Sequence, residues 1–195
     1  PATVASDNTA QKVPVASIQL HDQPEYLAIP KEIATAFLTS KAVNSSDLPL
    51  LAGPMNVFLD DTFVAASRLP TVMPGEDFDL ALGADEAIAL KREEDRHFTE
   101  NTGFTGKGRR LSYGYTLTVQ NNRRTAEKIV VLDQIPVSRN EKITVSLLAP
   151  AQDQATTQPD GTVKWTLTLQ PGEKRLLPLR FAIVYPGDTP IVGLN

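Results

Sequence analysis

Val163-Lys164-Trp165-Thr166-Leu167-Thr168-Leu169, followed by Gln170-Pro171-Gly172-Glu173 and then by Leu177, Leu179, Phe181, Ile183 and Tyr185 at every second position, decides the fold class. A period of two puts one apolar row on one face of a pleated strand, so each run is a half-buried β-strand and not a helix. Pro171-Gly172 fits a type II turn, because proline presets φ at the first central position and glycine supplies φ > 0 at the second. Working outward, Pro159-Asp160-Gly161 is a further turn. Tyr113, Tyr115, Leu117 and Val119 alternate with small or polar residues, and Asn121-Asn122 turns the chain toward Ile129–Leu132, which is apolar at every position. Such a run suits a central strand covered on both faces. With Ile143, Val145 and Leu147, these strands read as an immunoglobulin-like sandwich from about residue 109 to 195.

The first half reads less sharply. Residues 1–11 are small and polar and predict a tail or linker end. Val13 and Val15, then Ile18 and Leu20, change phase as across a bulge. Between Ala34 and Val43 the spacing fits helix or strand, and the β context favours strand. Asn56–Arg68 predicts a hairpin around Asp60-Asp61-Thr62, and Pro74-Gly75 another turn. Phe78, Leu80 and Leu82 alternate up to Gly83–Asp85, which reads as the close of that strand. Ile88 and Leu90 open the next strand, whose charged stretch Lys91–Arg96 reads as a solvated end. Gly103, Gly106 and Gly108 mark a boundary, giving an N-terminal β lobe over 12–100 beside the C-terminal lobe. No heptads, low-complexity tract or exact internal repeat is present.

Composition narrows the function classes. The 195 residues are 41% hydrophobic, enough for one large core or two modest ones. A net charge of −4 and a pI near 5.2 argue against nucleic acid as partner, since phosphate binding needs a basic face. Without cysteine there is no disulfide, thiolate nucleophile or cysteine-ligated metal. No apolar run is long enough for a membrane helix. The start lacks the charged head and apolar run of a signal peptide, and reads as a processing site or an artificial boundary.

Five stretches, taken together and in order, resemble a known family: Asn56–Val64, Lys91-Arg92-Glu93, Tyr115–Asn122, Asp133–Ser138 and Leu169–Glu173. They look like the C-terminal domain of unknown function of mucoidy-inhibitor-A-like (MuiA-like) bacterial proteins. The likeness runs from about Tyr26 to Pro186. It implies an exported protein, hence a periplasmic or otherwise extracytoplasmic location, and brings no catalytic residues. Asp61 departs from the pattern, standing where relatives commonly carry glycine in the hairpin.

The chemistry-bearing residues are sparse. His21 and His97 are far apart and read as structural or surface groups. Asp60-Asp61 and Glu93-Glu94-Asp95 lack the alternating spacing of a calcium loop. There is no nucleophile elbow, P-loop or dinucleotide fingerprint. Neither a catalytic residue nor a metal nor a cofactor is expected. Trp165 is in phase with Val163 and Leu167, which favours core packing over a sugar platform. Lys107, Arg109 and Arg110, with Arg123 and Arg124, form the one basic concentration and the expected binding residues. The reading is a non-catalytic interaction or scaffolding domain whose partner is a protein or an envelope glycan. A carbohydrate- or anion-binding module is the alternative, and a hydrolase with an unrecognised carboxylate site the third.

Overall fold

A computed structural model describes residues 22–59, 62–102 and 108–189. The expected tail, the early bulge, His21, the Asp60-Asp61 turn and most of the glycine-rich stretch lie outside the described residues. The strands are β1 (Asp22–Ala28), β2 (Thr35–Val43), β3 (Gly53–Leu59), β4 (Thr62–Leu69), β5 (Asp77–Thr102), β6 (Gly108–Asn121), β7 (Glu127–Gln134), β8 (Thr144–Ala149), β9 (Thr156–Thr157), β10 (Thr162–Leu169) and β11 (Lys174–Pro186). No helix occurs among the described residues. The segment open to either reading at 34–43 is the strand β2.

Among the described residues nine strands form one mixed sheet in the order β8-β11-β6-β5-β2-β1-β7-β10-β9, with β1 and β7 parallel and every other neighbour antiparallel. β3 and β4 pair as a separate hairpin carrying exposed Phe58 and Phe63 in an edge-to-face contact. One apolar cluster joins residues from both ends of the large sheet: Leu117 and Val119 on β6, Leu179 and Ile183 on β11, Ile129 and Val131 on β7, and Trp165 and Leu169 on β10. Strands so far apart in the order share a core only if the sheet curls over on itself. Tyr26, Ala28, Ala36 and Ile88 lie in the same cluster, and β5 and β6 pair from Ile88↔Asn121 to Thr102↔Gly108. The strands flanking the glycine-rich stretch are thus hydrogen-bonded neighbours, and residues from both expected lobes share one core. Trp165 is 2% exposed, and β7 is buried over Ile129–Val131, as their patterns predict.

β5 corrects the reading of its segment. It does not close at Gly83–Asp85 but runs unbroken for 26 residues. Register against β2 shifts between Leu38 and Thr39 and between Thr35 and Ala36, so two irregularities in pairing replace the expected turn, with Gly83 at φ 108°. Lys91–Arg96 is then mid-strand: β2 pairs with β5 only as far as Ala89, and β6 takes over from Ile88.

Two buried asparagines fix the ends of β2 and β6 by the same hydrogen bonds. Asn121 donates its backbone N–H to the Glu173 carbonyl (2.9 Å) and accepts from the Gly172 N–H (2.7 Å). Its Nδ2 donates to the carbonyls of Thr125 (2.8 Å) and Leu169 (2.9 Å), and its Oδ1 accepts from the Arg123 N–H (2.9 Å). Asn44 repeats this with Glu76, Gly75, Leu48, Val72 and Ser46. Each glycine follows a proline and has positive φ, 82° at Gly75 and 75° at Gly172, and each turn closes by a bond from the glutamate N–H to the residue three before it. Both fit type II turns, the type predicted at Pro171-Gly172; at Pro74-Gly75 the sequence predicts a turn without its type.

Candidate functional site

The core runs out along the far half of β5. Ile88 and Leu90 face the core, but the next two residues in that phase are Arg92 and Glu94. The pairing skips Asp95 between Glu94↔Tyr115 and Arg96↔Gly114, a bulge that shifts the phase by one and returns His97 to the same face opposite Tyr113. Arg92, Glu94 and His97, with Tyr113 and Tyr115 of β6 and Phe181 of β11, form one side of a groove of about 900 Å³. The other side consists of segments from the opposite half of the sheet: Lys31 after β1, Gln134 at the end of β7 with Ile135–Val137 and Arg139 after it, and Pro159-Asp160 before β10.

Two arrangements tie this floor together. Arg92 Nε donates to Asp133 Oδ2 at 2.8 Å, and the fully buried Asp133 side chain also accepts from the Gln134 N–H at 2.7 Å. The guanidinium lies 3.7 Å from the Tyr115 ring centroid, a cation–π contact in a partly dry site. Beside it, His97, Tyr113 and Phe181 are cross-strand neighbours whose rings stack, with centroids 4.5 and 5.0 Å apart and planes inclined by 22° and 16°. Burial, reinforced by the negative charge of Glu94, raises both tyrosine pKa values, so Tyr113 and Tyr115 are neutral phenols at physiological pH. The groove therefore offers ring edges, phenol hydroxyls, three cations and two carboxylates. That chemistry recognises a ligand with both apolar and charged groups.

On the opposite face of the same strands, Asp95 accepts from Thr116 Oγ1 (2.7 Å) and from Arg180 (2.8 Å). The Thr116 hydrogen bond and the Arg180 charge hold its carboxyl below the usual range against the opposing effect of desolvation. This crossing needs Gly114: a Cβ there would stand 2.6 Å from Asp95 Oδ1 and 2.9 Å from Arg96 Cβ.

Of the five basic residues expected to bind, the four that are described are not gathered into one patch. Lys107 lies outside the described residues. Arg109 and Arg110 begin β6 opposite Tyr185 and Val184, whereas Arg123 and Arg124 follow its other end. At about 3.3 Å per residue these ends are about 40 Å apart. Arg123 is engaged structurally, bonding Asp85 at 2.5 Å and Glu127 at 3.1 Å, while Asp85 also accepts from the Tyr26 hydroxyl at 2.7 Å. Burial alone would raise the Asp85 carboxyl, but bonds from Tyr26, the Ala87 N–H and Arg123 hold it below its ordinary value. Arg124 is exposed in the turn. Glu93-Glu94-Asp95 is divided by the bulge, and among the described residues no group of three or more His, Cys, Asp or Glu side chains is placed to hold a metal. Arg92, Glu94, Tyr113, Tyr115 and Phe181 were missed as a site. The signal was two charges continuing the apolar phase of Ile88 and Leu90.

No helix among the described residues is long and apolar enough to cross a membrane. No solved structure matches the chain. The chain is 27% identical over 197 residues to "Protein F37C4.5" of Caenorhabditis elegans, an alignment that takes in 95% of this chain and 35% of the nematode protein. It thus spans about a third of the length of that relative. The sequence profile of DUF4139, described as a domain of unknown function, matches residues 1–187, and the chain belongs to this family.

Proposed function

We propose that this chain is a non-catalytic interaction domain that works by contact, with the aromatic-floored groove as its binding surface. The observation that carries the reading is the immobilised groove floor: Arg92 fixed between buried Asp133 and the Tyr115 ring, beside the His97–Tyr113–Phe181 stack. A floor so restrained loses little freedom when it meets a partner, which is the energetic advantage of a preorganised surface. Curling of the large sheet around one core supports the immunoglobulin-like sandwich as its scaffold. Resemblance to MuiA-like proteins supports an exported, envelope-associated setting, and the coverage of the nematode relative supports a role as one part of a longer protein.

Carbohydrate binding is the second reading, favoured by the ring-rich floor. Trp165 is in the core, and Tyr113 has a ring stacked on each side, so its faces are not available to a pyranose. The cations Lys31, Arg92 and Arg139 favour a partner bearing carboxylates. Lys31→Glu combined with Arg139→Glu, both exposed and outside the core, should abolish capture of envelope proteins by the immobilised domain while leaving the melting temperature within about 2 °C. Reproducible turnover of a glycan or ester panel, lost on Glu94→Gln, would overturn the non-enzymatic reading.

A further inference from the structure

The ring stack on the groove floor has two unlike ends. Row by row across the sheet, His97 on β5 is opposite Tyr113 on β6, Tyr113 opposite Phe181 on β11, and Phe181 opposite Leu147 on β8. At the β11 end the stack is thus closed by a further strand. At the β5 end it stops: among the described residues no strand pairs with β5 on its outer side beyond Ala89. One His97 face covers Tyr113, no ring among the described residues stacks on the other, and the side chain is 51% exposed.

An unpaired strand edge presents a row of backbone N–H and C=O groups that another extended chain satisfies, and proteins ordinarily blunt such edges with proline, lysine or bulges. Among the described residues β11 has no partner on its outer side before Arg180, and there it carries Pro178. The outer side of β5 from Lys91 to Thr102 carries no proline, its one lysine stands at the start of the stretch, before Glu93–Thr102, and its bulge at Asp95 re-aims His97 onto the groove floor.

We infer that β5 accepts an added strand: an extended peptide segment of a partner protein pairs with its outer edge around Glu93–Thr102 and lays an aromatic side chain on the free face of His97, making the stack four rings long. The inference rests on the reading of the groove as a contact surface and specifies its occupant. Main-chain bonds supply the affinity and the single aromatic position the specificity, as in other cases of strand addition. Lys31 and Arg139 across the groove meet acidic residues on the groove-facing side of the same segment.

The probe is a phage-displayed library of random dodecapeptides panned against the intact domain. Enriched peptides should share one aromatic position within a run of β-branched residues. Synthetic copies N-methylated at successive amides should lose binding at every second position, because alternate N–H groups of a strand face the same neighbour. His97→Leu should weaken binding about threefold to tenfold, the range for loss of a stacked pair. Absence of enrichment, enrichment without an aromatic position, or methylation effects without a period of two would each overturn strand addition. Peptides lost on Lys31→Glu/Arg139→Glu but indifferent to His97→Leu and to methylation phase would overturn it while leaving the groove reading intact. Dimerisation of the domain that competes with the peptides would assign the edge to a second copy and overturn a foreign strand as occupant.

Discussion

The unit from β2 through Asn44 and Glu76 into β5 and the unit from β6 through Asn121 and Glu173 into β11 are built alike. In both, a strand ends at a buried asparagine, the chain makes an excursion, and a Pro-Gly-Glu turn brings it back antiparallel to the strand it left. Even the register agrees, with Val43↔Asp77 in one unit and Gln120↔Lys174 in the other. Each turn glutamate accepts the N–H three residues before it, Glu76 from Met73 and Glu173 from Gln170. What differs is the load. The second unit's excursion contributes β7 and β10 to the large core, whereas the first unit's contributes the β3–β4 hairpin and closes over a small cluster of Ala42, Val72 and Phe78. The returning strands differ too, since among the described residues β11 is flanked by β6 and β8 at Phe181 while β5 is flanked by β6 alone at His97. One turn device thus serves a structural return in one place and presents an open strand in the other.

The comparison is tested first through the cores. Trp165→Ala should cost about 3–5 kcal/mol, and Phe78→Ala in the small cluster about 2 kcal/mol, because a shallow site near the surface relaxes around the lost volume. Urea titration of both variants checks the order, and equal losses would break it. Asn121→Ala should cost about 3 kcal/mol by leaving the Leu169 and Thr125 carbonyls and the Arg123 N–H without their partner. Asn44→Ala breaks the same bonds, yet its effect should appear as faster hydrogen exchange confined to residues 45–76, with a smaller loss of global stability.

Gly75→Ala and Gly172→Ala offer the control. Nothing lies within 4 Å of a Cβ at either site, so the cost is conformational alone, about 1 kcal/mol at positive φ and equal in both units. The smallest effect concerns pH. Because the folded Asp85 carboxyl titrates below its ordinary value, the stability it contributes is complete above the unfolded pKa of about 4 and is lost as pH falls through the folded value. Melting curves from pH 6 to 2 should show a shallower acid limb in Asp85→Asn than in the parent.

Much of this fold is legible in the sequence because its signals are local. Alternation marks β6, β10 and β11, both Pro-Gly pairs sit in the turns they predict, and the hairpin around 56–68 is present as β3 and β4. β5 escaped because Gly83 and the polar residues after it mimic a strand end, while the structure absorbs them as register shifts held by β2. The likeness of the two units escaped because only the asparagine and the Pro-Gly-Glu recur, at different separations, and their equivalence lies in hydrogen bonds between distant positions. The groove was hidden for a similar reason: its ring stack requires the β5–β6–β11 register, and its ion pair joins Arg92 to Asp133 across the core mouth. Clustering in sequence pointed instead to Arg109, Arg110, Arg123 and Arg124, which a single long strand holds apart.

Residue-resolved amide hydrogen exchange on the free domain reports whether the outer edge of β5 is open. Between Arg96 and Glu100 alternate amides should exchange rapidly while those bonded to β6 stay protected, and Phe181–Val184 of β11, held from both sides, should be slow throughout. Uniform slow exchange along both strands would mean that the β5 edge is already covered and that no added strand can pair there.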